Sequence, residues 1–137
     1  MIIIDRPPNF EQIRAAFPRA ENPGVLFAYD GNIYNPTGAT LPPALIAHEN
    51  VHLERQKGGW ADAWWQSYIN NSEFRYEEEL LAHVAEFKAQ LISSDRNFGA
   101  RLLTHTAIRL VAPLYNYVPP RTLQEALKDL RREINHD

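Results

Sequence analysis

The chain has no cysteine among its 137 residues, and this absence excludes two common ways of building a small protein. A disulfide framework cannot form, and neither can a zinc site made of thiolates. Any metal ion in this protein must therefore be held by histidine and carboxylate side chains. Five His and 17 Asp or Glu are present to supply them.

The chain also lacks an excess of positive charge and a long apolar run. Fourteen Lys and Arg against 17 Asp and Glu give a net charge of −3, which disfavours a protein that mainly binds nucleic acid. The apolar stretch at residues 2–4 is shorter than the roughly 7 to 15 residues of a signal-peptide core. Nor does any run approach the roughly 18 apolar residues of a transmembrane helix. We therefore expect a cytoplasmic protein with neither a membrane nor a nucleic acid as partner.

The apolar content is sufficient for a folded core. Hydrophobic residues make up 45% of the chain, with three Trp, six Tyr and six Phe, far from the composition of a disordered protein. A domain typically has about 150 residues or slightly fewer. We expect residues 1–137 to form a single domain and the protein to be a monomer.

The first third of the chain favours a small sheet. The isoleucines of residues 2–4 suit a short strand, and Asn9 can cap a short helix that ends before Pro18. Segments 25–29 and 32–35 flank the dipeptide Asp30-Gly31, whose tolerance of left-handed backbone favours a tight hairpin.

The remainder of the chain has helical periodicity, interrupted by Gly, Asn and Pro. The predicted helices cover about residues 43–57, 60–69, 73–93, 97–110 and 122–134. The last one has an apolar stripe that should dock on the other elements. The predicted fold class is therefore α+β, with a small N-terminal β-sheet or hairpin followed by a helical body.

One motif carries chemistry. His48-Glu49-Asn50-Val51-His52 is an HExxH sequence inside the predicted helix 43–57. Residues i and i+4 lie on one face of a helix, so both imidazoles can reach a single Zn²⁺ at about 2.0 to 2.1 Å each. Glu49 then lies beside the ion as a general base, not as a ligand.

A catalytic zinc requires a third protein ligand and an open position. Downstream candidates are Glu73, Glu77, Glu78, Glu79, His83, Glu86 and His105. In the predicted helix 73–93 a narrow polar stripe lies between two apolar arcs, and it contains Glu79, His83, Glu86 and Gln90. Glu79 is the preferred ligand because an unpaired carboxylate between apolar arcs is costly. Glu78, which points into one arc, is the main rival, and the cluster 77–79 also suits the first turn of any helix.

These residues resemble a known family. HENVH followed by FRYEEELLAHVAEF is similar to the gluzincin branch of the zincin metallopeptidases, particularly to small metallopeptidase-like proteins encoded in phages and prophages. Gluzincins take the third ligand from a second helix, commonly in an E-x-x-A-[D/N]-like pattern, and Glu79-Leu80-Leu81-Ala82 looks like that pattern. The resemblance covers residues 32–90, under half of the chain. It implies a zincin-like (mini-gluzincin) architecture, bound Zn²⁺, and hydrolysis of a peptide or protein substrate.

The resemblance also implies secondary roles. Strand 33–35, with Tyr34, would lie along the cleft and pair with extended substrate. His83 stands where many gluzincins have an Asp or Asn that orients a ligand histidine, so His83 is a candidate neighbour of the ligands or a member of the site. A second electrophile for the carbonyl oxygen could be His83, His105, Tyr34, Tyr68 or Tyr115. The aromatic residues Trp60, Trp64, Trp65 and Tyr68 are predicted to be core rather than substrate pocket.

Two alternatives remain open at this point. One is a zinc-binding scaffold or interaction module of phage origin that cleaves nothing. The other is a metal-free helical protein that binds nucleic acid or a protein, suggested by the arginines of the C-terminal half: Arg101, Arg109, Arg121, Arg131 and Arg132. Those arginines are also compatible with an ordinary solvated face balanced by the acidic residues.

Overall fold

The structure is a computed structural model, and it describes residues 1–92 and 99–135. A small three-stranded sheet near the N-terminus and a helical body confirm the predicted α+β class. In chain order the strands and α-helices are β1 (Ile2–Ile3), α1 (Phe10–Ala16), β2 (Phe27–Tyr29), β3 (Asn32–Tyr34), α2 (Pro43–Gln56), α3 (Ala61–Asn70), α4 (Ser72–Ile92), α5 (Gly99–Leu110) and α6 (Leu123–Ile134). Short 3-10 turns cover Pro18–Glu21 and Pro113–Tyr115.

The sheet forms around the predicted hairpin. Asp30 and Gly31 both have positive φ, 45° and 88°, which matches the backbone twist of a two-residue hairpin between β2 and β3. Strand β1 then pairs in parallel with the other edge of β3, giving the order β1-β3-β2. The expectation that strand 33–35 pairs with substrate is therefore wrong, because both edges of β3 are already occupied. Strand β2 is an edge strand, and its outer edge has no partner strand among the described residues.

The two helices with the predicted ligands have clear ends. Pro43 occupies the first turn of α2, and Gly58 and Gly59 follow its last turn with φ of 82° and 84°. At the start of α4, the side-chain oxygen of Asn71 accepts a hydrogen bond of 3.0 Å from the Phe74 backbone N–H. Helices α2 and α4 form the most extensive contact between any two elements. The two helices with the candidate ligands are therefore neighbours in the fold.

Two hydrophobic clusters flank this helix pair. The N-terminal cluster joins α1, β2 and α3 through Phe10, Ile13, Phe17, Ala20, Phe27, Trp64, Trp65 and Tyr68. The C-terminal cluster joins α4, α5 and α6 through Tyr76, Leu80, Val84, Ala107, Leu110, Tyr117, Ala126, Leu127 and Leu130. The predicted docking of the apolar stripe of α6 is thereby confirmed.

Some predictions differ from the structure in detail. Asn9 precedes α1, but its side chain makes no capping hydrogen bond. One of the two apolar arcs predicted on α4 is only half-buried at Leu81 and Ala85 and ends in the exposed Ile92. The predicted helix ends at residues 93 and 97 lie outside the described residues. None of the helices in the described part of the chain has both the length and the apolar character needed to cross a bilayer.

Candidate metal centre

His48 and His52 project from the buried face of α2, one helical turn apart. The Nε2 atom of His48 lies 3.2 Å from Oε1 of Glu79, and the Nε2 atom of His52 lies 3.2 Å from Oε2 of the same carboxylate. Ligand atoms of these three residues all lie within 4.8 Å of one another. The structure thus brings together the three residues that the sequence analysis proposed as ligands, on two neighbouring helices.

The carboxylate of Glu79 is positioned by a second element. The hydroxyl of Tyr68, on α3, donates a hydrogen bond of 2.7 Å to Oε2 of Glu79. Within the described residues, Oε1 of Glu79 is buried and has no partner in hydrogen-bonding geometry. Burial raises the pKa of Glu79, but the neighbouring His52 and His48 outweigh that effect and hold the pKa well below its usual range. Glu79 is therefore an ionised carboxylate with an unused acceptor that faces two imidazoles.

His48 uses its second ring nitrogen to reach another carboxylate. Its Nδ1 lies 3.1 Å from Oε1 of Glu86, and Oε2 of Glu86 lies 2.9 Å from Nη1 of Arg109 on α5. Burial lowers the pKa of His48, but the close contacts of its ring nitrogens with the carboxylates of Glu79 and Glu86 raise it to about 10. A carboxylate on the far nitrogen of a ligand histidine fixes the ring and leaves the near nitrogen for a metal.

Glu49 follows His48 on the same helix turn but lies outside the set of three. Its Oε2 is 3.5 Å from Nε2 of His48, and the side chain lines the cavity described below. Burial is the main cause of a raised pKa for the Glu49 carboxyl, and the nearby charges of His48 and His52 oppose that rise. Glu49 therefore lies beside the three candidate ligands, and its role as a general base stays a prediction.

The other two acids of the 77–79 cluster point elsewhere. Glu78 is buried and accepts hydrogen bonds from Nε of Arg55 at 2.7 Å and from Nε1 of Trp64 at 2.6 Å. Glu77 is exposed. Buried Glu78 therefore has Arg55 and the Trp64 indole as its polar partners. Of the three acids in the 77–79 cluster, only Glu79 faces the histidines.

His83 lies on the same stripe of α4, one turn after Glu79, and is fully buried. Its Nδ1 lies 2.7 Å from the backbone carbonyl of Glu79, and its Nε2 has no partner among the described residues. Burial, and then the charge of His48, lower the pKa of His83 to about 4, so the ring is neutral. His83 forms a second possible ligand group with His48 and Glu86, but it does not orient a ligand histidine. Glu86 is the residue in contact with His48 Nδ1.

A cavity of about 290 Å³ opens beside the three clustered residues. Its lining consists of Ile13, Phe17, Ala20, Pro23, Gly24, Val25, Leu26, Phe27, Ala28, Leu45, His48, Glu49, His52, Trp64, Trp65, Tyr68, Glu79, Arg109, Leu114 and Tyr115. Trp64, Trp65 and Tyr68 are core residues as predicted, but they also form cavity wall, a role that the sequence analysis missed. Trp60 is 63% exposed, so its prediction as core is wrong.

Of the other residues predicted as possible electrophiles, one lines the cavity and two lie elsewhere. Tyr115 lines the cavity, whereas Tyr34 packs against the N-terminal cluster and does not line it. His105 is exposed on α5 in a shallow groove with Arg101 and Ile108. Tyr34 and His105 are therefore not at the centre.

Two contacts that complete the centre were not predicted from the sequence. Arg109 was grouped with solvated arginines, although it reaches the buried Glu86, and Tyr68 was assigned to the core without its bond to Glu79. Arg109 is on α5 and Glu86 is on α4, and no local sequence pattern indicates that these two residues pair. The Glu86 position was visible as part of the polar stripe on α4.

The donor set fits a metal ion. Two imidazole nitrogens and one carboxylate converge in a buried site, where a carboxylate oxygen without a hydrogen bond would otherwise be costly. The carboxylates of Glu49, Glu79 and Glu86 lie within this small volume, so a divalent cation would offset their mutual repulsion. Comparison of the chain with protein-family models, curated proteins and solved structures found no match.

Proposed function

We propose that this protein is a zinc-dependent metallopeptidase whose ion is held by His48, His52 and Glu79. The observation that supports it is the convergence of both Nε2 atoms, at 3.2 Å each, on the two oxygens of one carboxylate at the wall of a cavity. Three protein ligands with an open side are typical of catalytic rather than structural zinc. A set of two imidazoles and one carboxylate suits zinc, and Cys is not needed.

Glu49 is the general base of the proposed reaction. When bound, zinc supplies a Lewis acid that acidifies water and polarises a peptide carbonyl. The Glu49 carboxylate, 3.5 Å from a ligand nitrogen, is close enough to take the proton of the attacking water. It then returns that proton to the amine nitrogen as the C–N bond breaks, so the water is divided between the two products.

Tyr115 is the best placed hydroxyl for the developing negative charge on the carbonyl oxygen. It lines the cavity, whereas the hydroxyl of Tyr68 is already committed to Glu79. Burial raises the pKa of Tyr115 well above its usual value, so its phenol stays protonated at neutral pH. A protonated phenol can donate the hydrogen bond that an oxyanion requires.

An extended substrate would pair with the chain just before and within β2. Residues 23–28 line the cavity, while β3 is enclosed between two strands. The Ala28 carbonyl already accepts hydrogen bonds from Gln56 Nε2 at 3.0 Å and from Trp65 Nε1 at 2.9 Å. Main-chain pairing with a peptide is therefore confined to the residues before Ala28.

Metal analysis combined with a Glu49→Gln variant tests the proposal. We expect about one equivalent of zinc in both proteins, and a loss of peptide cleavage of at least about 100-fold in the variant, as for removal of a general base. Cleavage is measured on a diverse fluorogenic peptide library. Glu54→Gln, an exposed change on the same helix, is the matched control and should cleave like the wild type.

Two results would contradict the proposal in different ways. Zinc below about a tenth of an equivalent, without uptake on titration, removes the metal centre and favours the metal-free interaction protein. One equivalent of zinc without cleavage of any library member favours the zinc-binding module that cleaves nothing.

A further inference from the structure

The cavity beside the centre has a mostly apolar wall with one positively charged side chain that is always ionised, that of Arg109. Most of its wall is apolar or aromatic, including Phe17, Phe27, Leu45 and Trp65. Among the described residues that line it, Arg109 is the only Lys or Arg. A lone guanidinium in an apolar cavity is a specific feature, since such groups determine the orientation of a bound ligand.

One ion pair fixes the Arg109 guanidinium and leaves other N–H donors without an acceptor among the described residues. One guanidinium nitrogen, Nη1, lies 2.9 Å from Oε2 of Glu86, whose side chain is 1% exposed and which also contacts His48. A guanidinium has five N–H donors, and the structure gives Arg109 no second acceptor among the described residues. Its side chain is 37% exposed, and the residue lines the cavity. Arg109 is thus linked through Glu86 to His48, a proposed zinc ligand, and it keeps N–H donors available for another acceptor.

We propose that Arg109 binds the α-carboxylate of a peptide's C-terminal apolar residue, and that the protein removes this residue as a carboxypeptidase. This inference rests on the proposed peptidase function and specifies its substrate class. The last peptide bond is hydrolysed: its C–N bond breaks, hydroxyl from water joins the acyl carbon, and the proton of that water goes to the amine nitrogen. The released amino acid keeps its own carboxylate. The second product is the peptide shortened by one residue, with a new carboxylate.

An apolar C-terminal residue matches both the apolar wall of the cavity and the Arg109 guanidinium. Its side chain and its carboxylate are attached to the same Cα, so the side chain can occupy the aromatic wall while the carboxylate reaches the guanidinium. A carboxylate on an internal Asp or Glu would instead bring a polar side chain and a continuing chain into a cavity of about 290 Å³. Planar two-point pairing with Arg favours a carboxylate over a single carbonyl oxygen.

The binding test uses two small ligands that differ only in the terminal group, a carboxylate in one and a carboxamide in the other. N-acetyl-L-phenylalanine and N-acetyl-L-phenylalaninamide are titrated into the zinc-loaded protein by calorimetry. We expect the acid to bind at least about 10-fold more tightly than the amide, as for a charge-assisted pair. In Arg109→Met this ratio should fall to about one, while Arg101→Met, an exposed change on the same helix, keeps the wild-type ratio.

The use of a ratio separates carboxylate recognition from the structural contact with Glu86. General damage to the centre weakens both ligands together, and direct binding of the carboxylate to zinc would persist in Arg109→Met. Equal affinity for acid and amide in the wild type, no binding of either ligand, or a preference that survives Arg109→Met would each overturn the proposal.

A cleavage test separates this inference from the proposed function. Peptides ending in Phe or Leu are supplied as free acids and as C-terminal amides, and products are identified by mass spectrometry. We expect the wild type to shorten the free acids by one residue and to leave the amides intact. Internal cleavage of both forms would preserve the peptidase and overturn the assignment of Arg109.

Discussion

At the scale of single residues, His48 has two simultaneous roles. Its Nε2 faces Glu79 while its Nδ1 faces Glu86, so both carboxylates favour a proton on the ring when no metal is bound. These contacts raise its pKa to about 10, above the ordinary value of 6.5. A metal ion and a proton therefore compete for the same nitrogen.

This competition predicts proton release on zinc binding. At pH 7 a group whose pKa is raised to about 10 is protonated in the metal-free protein, so each zinc should displace about one proton. Zinc affinity should then increase about 10-fold for each pH unit between pH 6 and 8, and decrease as the pH falls. Calorimetry in buffers of different ionisation enthalpy measures the proton count. Binding without proton release, or with affinity independent of pH, would contradict the assignment of His48 as a ligand.

At the scale of elements, helix α4 presents three buried polar side chains on successive turns. Glu79, His83 and Glu86 lie at i, i+4 and i+7 and face α2, whose His48 contacts both acids. Glu79 is proposed to bind the ion, and Glu86 is a positioning residue that acts through the far nitrogen of His48. The two helices are joined by these polar contacts as well as by packing.

The positioning role of Glu86 predicts a loss of metal affinity without loss of fold. Glu86→Gln removes the charge that orients His48 and should weaken zinc binding about 10- to 100-fold. Competition with a chromophoric chelator measures the affinity, and circular dichroism checks the helical content. Glu77→Gln, an exposed change on the same helix, should bind zinc as the wild type does. Equal affinity in Glu86→Gln and Glu77→Gln would show that the contact with His48 does not orient the ligand.

At the scale of the whole molecule, one buried arginine connects distant parts of the chain. Arg75, on α4, donates to the backbone carbonyls of Tyr68, Ile69, Tyr115 and Asn116 at 2.6 to 3.3 Å. Its guanidinium also lies 5.0 Å from the ring centroid of Phe17. Arg75 therefore joins the end of α3 to the segment with Tyr115, and both carry residues that line the cavity.

Removal of this connection should destabilise the fold. Arg75→Met leaves buried carbonyl oxygens without donors, so we expect the free energy of unfolding to fall by about 3 kcal/mol or more. Urea denaturation of the metal-free protein gives this value, and Arg131→Met, an exposed change on α6, should alter it by less than about 0.5 kcal/mol. A change for Arg75→Met no larger than that of the control would mean that water replaces the guanidinium at these carbonyls.

The sequence by itself determined the features that depend on neighbouring residues. The one-turn spacing of His48 and His52, the Asp30-Gly31 turn and the polar stripe of α4 follow from local backbone geometry, and each is present as predicted. Helical spacing fixes the direction of a side chain relative to its own helix axis, whatever that helix packs against. The fold class followed from the same local patterns.

Only the tertiary structure decided which side chains meet across elements. Glu78 and Glu79 are adjacent in sequence, and it is the rotation of α4 against α2 that turns Glu79 to the histidines and Glu78 to Arg55. The pairing of β1 with β3, and of Arg109 with Glu86, joins residues that are far apart in the chain. Such contacts depend on how whole elements bury their surfaces together, and periodicity within one element contains no record of the partner.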